Sequence, residues 1–118
     1  MASAKSGSSD TVARSNGRHL LWSYPQMVAH HTSTGCNLQP GDLLGSGTIS
    51  GTAPGEYGCL LERTEGGKKS IQIGSEERIF LQDGDTVTFT GVCGTDEDAL
   101  VGFGQCSGKI EPAANLGF

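Results

Sequence analysis

With 118 residues the chain is long enough for one ordinary domain, and a hydrophobic share of 35% with 19 glycines points to strands and turns around a thin core. The net charge of −5 comes from scattered acids, and no basic cluster exists beyond Lys68-Lys69, which excludes a nucleic-acid partner. No apolar run approaches the ~20 residues of a membrane-spanning helix, and Met1–Gly7 lacks the apolar heart of a secretory signal, so a cytoplasmic protein with no membrane partner is expected.

In chain order, residues 1–17 are small, polar and aperiodic, the composition of a flexible lead. A strand or helix there would need a neighbour that this chain does not supply. His19-Leu20-Leu21-Trp22 is a short apolar run read as a strand or the approach to a helix. The helix itself is expected over 24–34. Ser23 caps it, Gln26 stands at the reciprocal capping-box position, Pro25 falls in the first turn, and Gly35 ends it.

Adjacent His30 and His31 point about 100° apart on a helix, so at most one faces inward. A packed, hydrogen-bonded histidine is preferred there over a base or a metal ligand. The four cysteines, Cys36, Cys59, Cys93 and Cys106, contain no Cys-x-x-Cys pair. Buried free thiols are therefore expected, rather than a disulfide framework or a zinc site shared with His30 or His31.

Pro40-Gly41-Asp42 is a turn signal. It leads into Leu43-Leu44-Gly45-Ser46-Gly47-Thr48-Ile49-Ser50-Gly51, where glycines alternate with hydroxyls able to bind an oxygen-rich ligand. This reads as a strand entering a glycine-lined pocket. Thr52–Gly58 is loop, Cys59–Arg63 a strand and Glu65–Lys68 a hairpin turn. Ser70–Ile73, Arg78–Leu81, Thr86–Thr90, Ala99–Gly104 and Cys106–Ile110 are further strands separated by turns at Gly74–Glu77 and Asp83–Asp85. The spacing describes an all-β meander. Asp83-Gly84-Asp85 and Asp96-Glu97-Asp98 read as solvated turns, because neither continues into a calcium loop. Residues 114–118 are a loose tail.

Two side chains are candidates for chemistry. Thr48 is either a strand threonine at a bend or a hydroxyl donor to a substrate oxygen. Glu62 follows Cys59-Leu60-Leu61; taken alone it is a solvent-facing strand glutamate, and the sharper reading is a functional carboxylate with a partner.

The run Gly35–Gly51 resembles the C-terminal portion of the fumarylacetoacetase (fumarylacetoacetate hydrolase) family. Ala29-His30-His31-Thr32 precedes it, and Gly58-Cys59-Leu60-Leu61-Glu62, Leu81-Gln82-Asp83-Gly84-Asp85 and Gly102-Phe103-Gly104-Gln105-Cys106 follow in the same order. The likeness covers residues 18–113, and the chain is much shorter than the family's proteins.

The resemblance implies a mainly β domain, part of a mixed β-roll or β-sandwich, that forms a homodimer. It implies hydrolysis of the C–C bond of fumarylacetoacetate to fumarate and acetoacetate, with Mg²⁺ or Ca²⁺ as cofactor. Glu62 becomes the buried partner of a catalytic histidine, and Thr48 a substrate contact. That histidine, the metal-binding carboxylates and the cationic substrate ligands lie upstream in the family, so these 118 residues alone are expected to be inactive. A non-catalytic β-domain binding a protein partner is the alternative. A related acylpyruvate hydrolase ranks lower, since those enzymes carry Gly-Thr-Pro where this chain has Gly47-Thr48-Ile49.

Overall fold

The computed structural model describes residues 1–94 and 100–114. It is mainly β, with two small antiparallel sheets and short helices. The chain divides into two compact units, Ala13–Arg63 and a second made of Met1–Val12 with Thr64–Phe118.

In the unit Ala13–Arg63, a 3₁₀ turn spans Gly17–His19, and the run 19–22, expected as a strand or the approach to a helix, forms no strand and leads into the helix that follows. The Asn16 side chain accepts from the Arg18 N–H at 3.0 Å, and Leu20 N–H closes on the Gly17 carbonyl at 3.1 Å. This local hydrogen bonding turns the backbone before it can extend. Helix α1 runs Tyr24–Thr32 behind Ser23. Gln26 Oε1 accepts both the Ser23 N–H at 2.8 Å and its hydroxyl at 2.9 Å, and Gly35 takes a left-handed φ of +83° beyond the end. The helix closes two residues earlier than expected. His30 and His31 are both exposed, so neither is the packed histidine foreseen.

The glycine-rich run 43–51 forms no strand. Cys59–Arg63, read as a strand, is instead the one-turn helix α2, Leu60–Arg63. Leucine, glutamate and arginine are good helix formers, and the Arg63 N–H reaches the Cys59 carbonyl at 3.2 Å.

In the other unit, β1 (Ile71–Ile73) pairs antiparallel with β2 (Glu76–Arg78), Ile71 opposite Arg78 and Ile73 opposite Glu76. Gly74, at φ +58°, and Ser75 alone make the connection. A two-residue hairpin turn leaves Glu76 and Glu77 free to pair, so β2 starts two residues before the expected strand and ends at Arg78. Alternation buries Ile71 and Ile73. β3 (Thr86–Cys93) and β4 (Val101–Lys109) form the second antiparallel pair. The two strands expected at 99–104 and 106–110 are thus one continuous β4, and the register irregularity falls in β3 between Thr90 and Val92. Ala99, the Asp96–Asp98 turn and 115–118 lie outside the described residues.

Residues at the start of the chain find the neighbour that the lead was expected to lack. Ala2 exchanges backbone bonds with Thr86 of β3 at 2.7 and 2.9 Å, and the Met1 ammonium donates to the Asp10 carbonyl at 2.9 Å. Asp85 corrects another expectation, for it is buried rather than solvated. Its carboxylate pairs with the buried Arg78 guanidinium and accepts N–H bonds from Gln82 at 2.8 Å and Ala4 at 3.2 Å. Arg78 also reaches Ser3 Oγ and Glu76 Oε2, each at 3.2 Å.

Burial pushes the Asp85 carboxyl up, but those two N–H donors and the guanidinium outweigh it and hold it below its ordinary value of 3.8. Around this polar knot the apolar core is small. Met1, Ile71 and Ile73 are its buried hydrophobics among the described residues. Cys36, Cys93 and Cys106 are exposed and Cys59 half-buried, all free thiols, so the expected burial of the cysteines does not hold.

Candidate functional site

The site lies in the unit Ala13–Arg63, where the glycine-rich run meets the start of α2. Glu62 stands in the first turn of that helix, a position where the unpaired N–H groups favour a carboxylate. Its Oε2 turns back to accept the Gly58 N–H at 3.2 Å, and the Ser50 hydroxyl donates to the same oxygen. Ser50 Oγ in turn accepts the Gly58 N–H at 3.1 Å. That amide proton is shared between a hydroxyl and a carboxylate.

Thr48 lies against the same glycine. A Cβ placed on Gly58 would sit 2.4 Å from Thr48 Cγ2 and 2.6 Å from the Ile49 carbonyl oxygen. The threonine methyl is therefore packed on bare backbone. Its hydroxyl is the polar end of a side chain that is otherwise exposed. The two residues singled out from the sequence thus converge on Gly58, fourteen residues of chain notwithstanding.

Glu62 is solvent-facing, as its residues alone suggested, and differs from the burial that the resemblance implied. It is exposed, not buried, because a one-turn helix presents it to solvent and its stabilisation comes from two local donors.

Sequence reasoning underweighted two groups. Gly58 is expected as the end of a loop, and no signal along the chain marks it as the point where an added Cβ would meet Thr48 and Ile49. Ser50 was read as a general oxygen ligand and is committed instead to Glu62. The loop between them is closed by the Gly51 N–H on the Glu56 carbonyl at 2.8 Å, while the Ser15 hydroxyl holds the Ile49 carbonyl.

Glu56 Oε2 accepts the Ala53 N–H at 3.1 Å and lies 3.5 Å from His19 Nε2. The Ala53 N–H holds the Glu56 carboxyl below its ordinary value of 4.5 against the upward push of burial, with His19 and Arg18 adding attraction. A Cβ on Gly51 would meet the Glu56 carboxylate and His19 Nε2, both ends of side chains rather than backbone.

On the other side of the glycine-rich run, Leu43, Leu44 and Ser46 face Trp22, Met27 and His30 of the α1 region across a groove of about 930 Å³. Among the described residues no three His, Cys, Asp or Glu side chains come together to hold a metal ion, so this segment does not fit a metal by itself. No helix among them is long and apolar enough to cross a membrane.

What this arrangement offers chemically is a fixed carboxylate and a hydroxyl around one glycine. Comparison with known proteins gives that half-site a context. The family described as fumarylacetoacetate (FAA) hydrolase C-terminal matches residues 6–111. The fumarylacetoacetase of Arabidopsis thaliana is 54% identical over 102 residues, covering 86% of this chain and 24% of the relative. Fumarylacetoacetase fahA of Aspergillus fumigatus is 52% identical over 112 residues, 95% of this chain and 26% of the relative. The Bos taurus fumarylacetoacetase is 49% identical over 107 residues, 90% and 25% respectively. The chain therefore spans about a quarter of the length of the curated relatives it matches.

Proposed function

The chain belongs to the fumarylacetoacetate hydrolase C-terminal family, and on that premise we propose that it is the C-terminal portion of a fumarylacetoacetase. The reaction is hydrolysis of the C–C bond of 4-fumarylacetoacetate to fumarate and acetoacetate, in the breakdown of tyrosine and phenylalanine. The observation that carries the reading is the convergence of Thr48 and Glu62 on Gly58.

In this reading Glu62 accepts the N–H of a histidine contributed from outside this chain. A carboxylate so placed selects the tautomer that presents the other ring nitrogen to water and stabilises the imidazolium that forms when water attacks the carbonyl. Thr48, anchored through its methyl, donates its hydroxyl to a substrate oxygen as charge develops there. The family's divalent metal, Mg²⁺ or Ca²⁺, takes its ligands from other parts of the protein, and this chain's share of the chemistry is orientation. The assembled enzyme is a cytoplasmic homodimer.

The test places this chain in a full-length relative, in exchange for the matching quarter, and assays C–C hydrolysis. Glu62→Gln is expected to lower kcat by roughly a hundredfold or more, the scale of losing a histidine's orienting carboxylate. The 118 residues alone, with Mg²⁺, are expected to show no turnover. An unaltered rate for Glu62→Gln removes Glu62 from the machinery, and clear turnover by the isolated chain contradicts the division of labour.

A further inference from the structure

We infer that Ser50 is a positioning residue for Glu62, an inference that rests on the proposed role of that glutamate. Ser50 has one proton, and its bonding pattern assigns it. The oxygen receives the Gly58 N–H at 3.1 Å, so the O–H is the group that donates to Glu62 Oε2. The same N–H reaches Oε2 at 3.2 Å. Serine hydroxyl, glycine amide and carboxylate close a three-membered polar ring.

Both bonds to the carboxylate fall on Oε2. Oε1 takes neither and is the oxygen left to receive an imidazole N–H. An exposed glutamate would otherwise sample many rotamers; two donors to one oxygen select one of them before the histidine arrives, which is orientation supplied in advance.

Ser50 is itself held in place. On one side the Ile49 carbonyl accepts the Ser15 hydroxyl, and on the other the Gly51 N–H is bonded to the Glu56 carbonyl at 2.8 Å. The hydroxyl is thus presented from a backbone tied at both neighbours. The rival interpretation is structural, with Ser50 merely tying the glycine-rich run to the first turn of α2.

Two measurements separate these. In the 118-residue chain, the NMR shifts of the Gly58 amide and the Glu62 side-chain carboxyl carbon are expected to move in Ser50→Ala and return towards the parent in Ser50→Thr, which keeps the hydroxyl. If Ser50→Ala moves neither, the ring does not exist and the inference falls whatever the enzyme does.

In the full-length relative carrying this chain, Ser50→Ala is expected to lower kcat about tenfold, the worth of one charge-assisted hydrogen bond, with KM within about twofold. Ser50→Thr should recover most of the loss, and Ser50→Ala should add nothing in a Glu62→Ala background. If Glu62→Ala costs nothing, the reading of Glu62 fails. If Glu62→Ala costs activity while Ser50→Ala does not, or lowers thermal stability alone, positioning by Ser50 fails and the role of Glu62 stands.

Discussion

Replacing Gly58 with alanine tests the geometry of the site without touching a reactive group. The added Cβ would sit 2.4 Å from Thr48 Cγ2, 2.6 Å from the Ile49 carbonyl oxygen and 3.0 Å from its carbon. The Ile49 carbonyl is backbone and is held by the Ser15 hydroxyl. Something in the main chain has to move. Forcing an extra carbon into packed structure costs about 1–3 kcal/mol, and a shift that also breaks the Gly58 N–H bonds to Ser50 and Glu62 adds about 1 kcal/mol.

The prediction is a loss of about 2–4 kcal/mol, read from the urea midpoint. Gly45 is the control. It has neither a positive φ nor any atom within 4 Å of an added Cβ, so Gly45→Ala should be neutral or stabilising by up to about 1 kcal/mol through the unfolded chain. Equal midpoints for the two variants would refute the argument that Gly58 is glycine because Thr48 and Ile49 occupy its space.

Two further predictions concern the rest of the chain. Asp85→Asn should cost about 3 kcal/mol, since it leaves Arg78 buried without its counter-charge. The Asp85 carboxyl titrates below its ordinary 3.8 in the folded protein, so the folded state binds fewer protons than the unfolded one. Its contribution is full above about pH 4 and is lost as pH falls through the folded value. Urea midpoints between pH 6 and 3 should show this acid limb in the parent and a shallower one in the variant. An unchanged slope would sink the assignment. Separately, Phe89 and Phe103 are exposed on the β3–β4 ribbon, a kind of surface that favours association. Light scattering behind size exclusion is expected to show a dimer, and a clean monomer would count against it.

How much of this was legible beforehand follows from the range of the forces involved. Helix α1 was readable because its signals are local: Ser23, Pro25, Gln26 and Gly35 lie within a few residues of the ends they set. The Ile71/Ile73 alternation was readable for the same reason, as was Thr86–Thr90. The strand expected at Cys59–Arg63 does not form because a short apolar run has no periodicity of its own, and the local propensities of Leu60, Leu61 and Glu62 carry it into a helical turn. Thr48 and Glu62 stood out as residue types and by resemblance, but nothing along the chain announced that Gly58 would gather them.

By itself, then, the sequence determined the family, the mainly β character, the capped helix and the two side chains that carry the proposed chemistry. The tertiary structure alone decided that Glu62 is held by Ser50, that Asp85 is buried against Arg78, and that Ala2 pairs with Thr86. Caps and alternation act between neighbours a few residues apart, whereas hydrogen bonds that join positions 50 and 62, 78 and 85, or 2 and 86 exist only once the chain has brought them together.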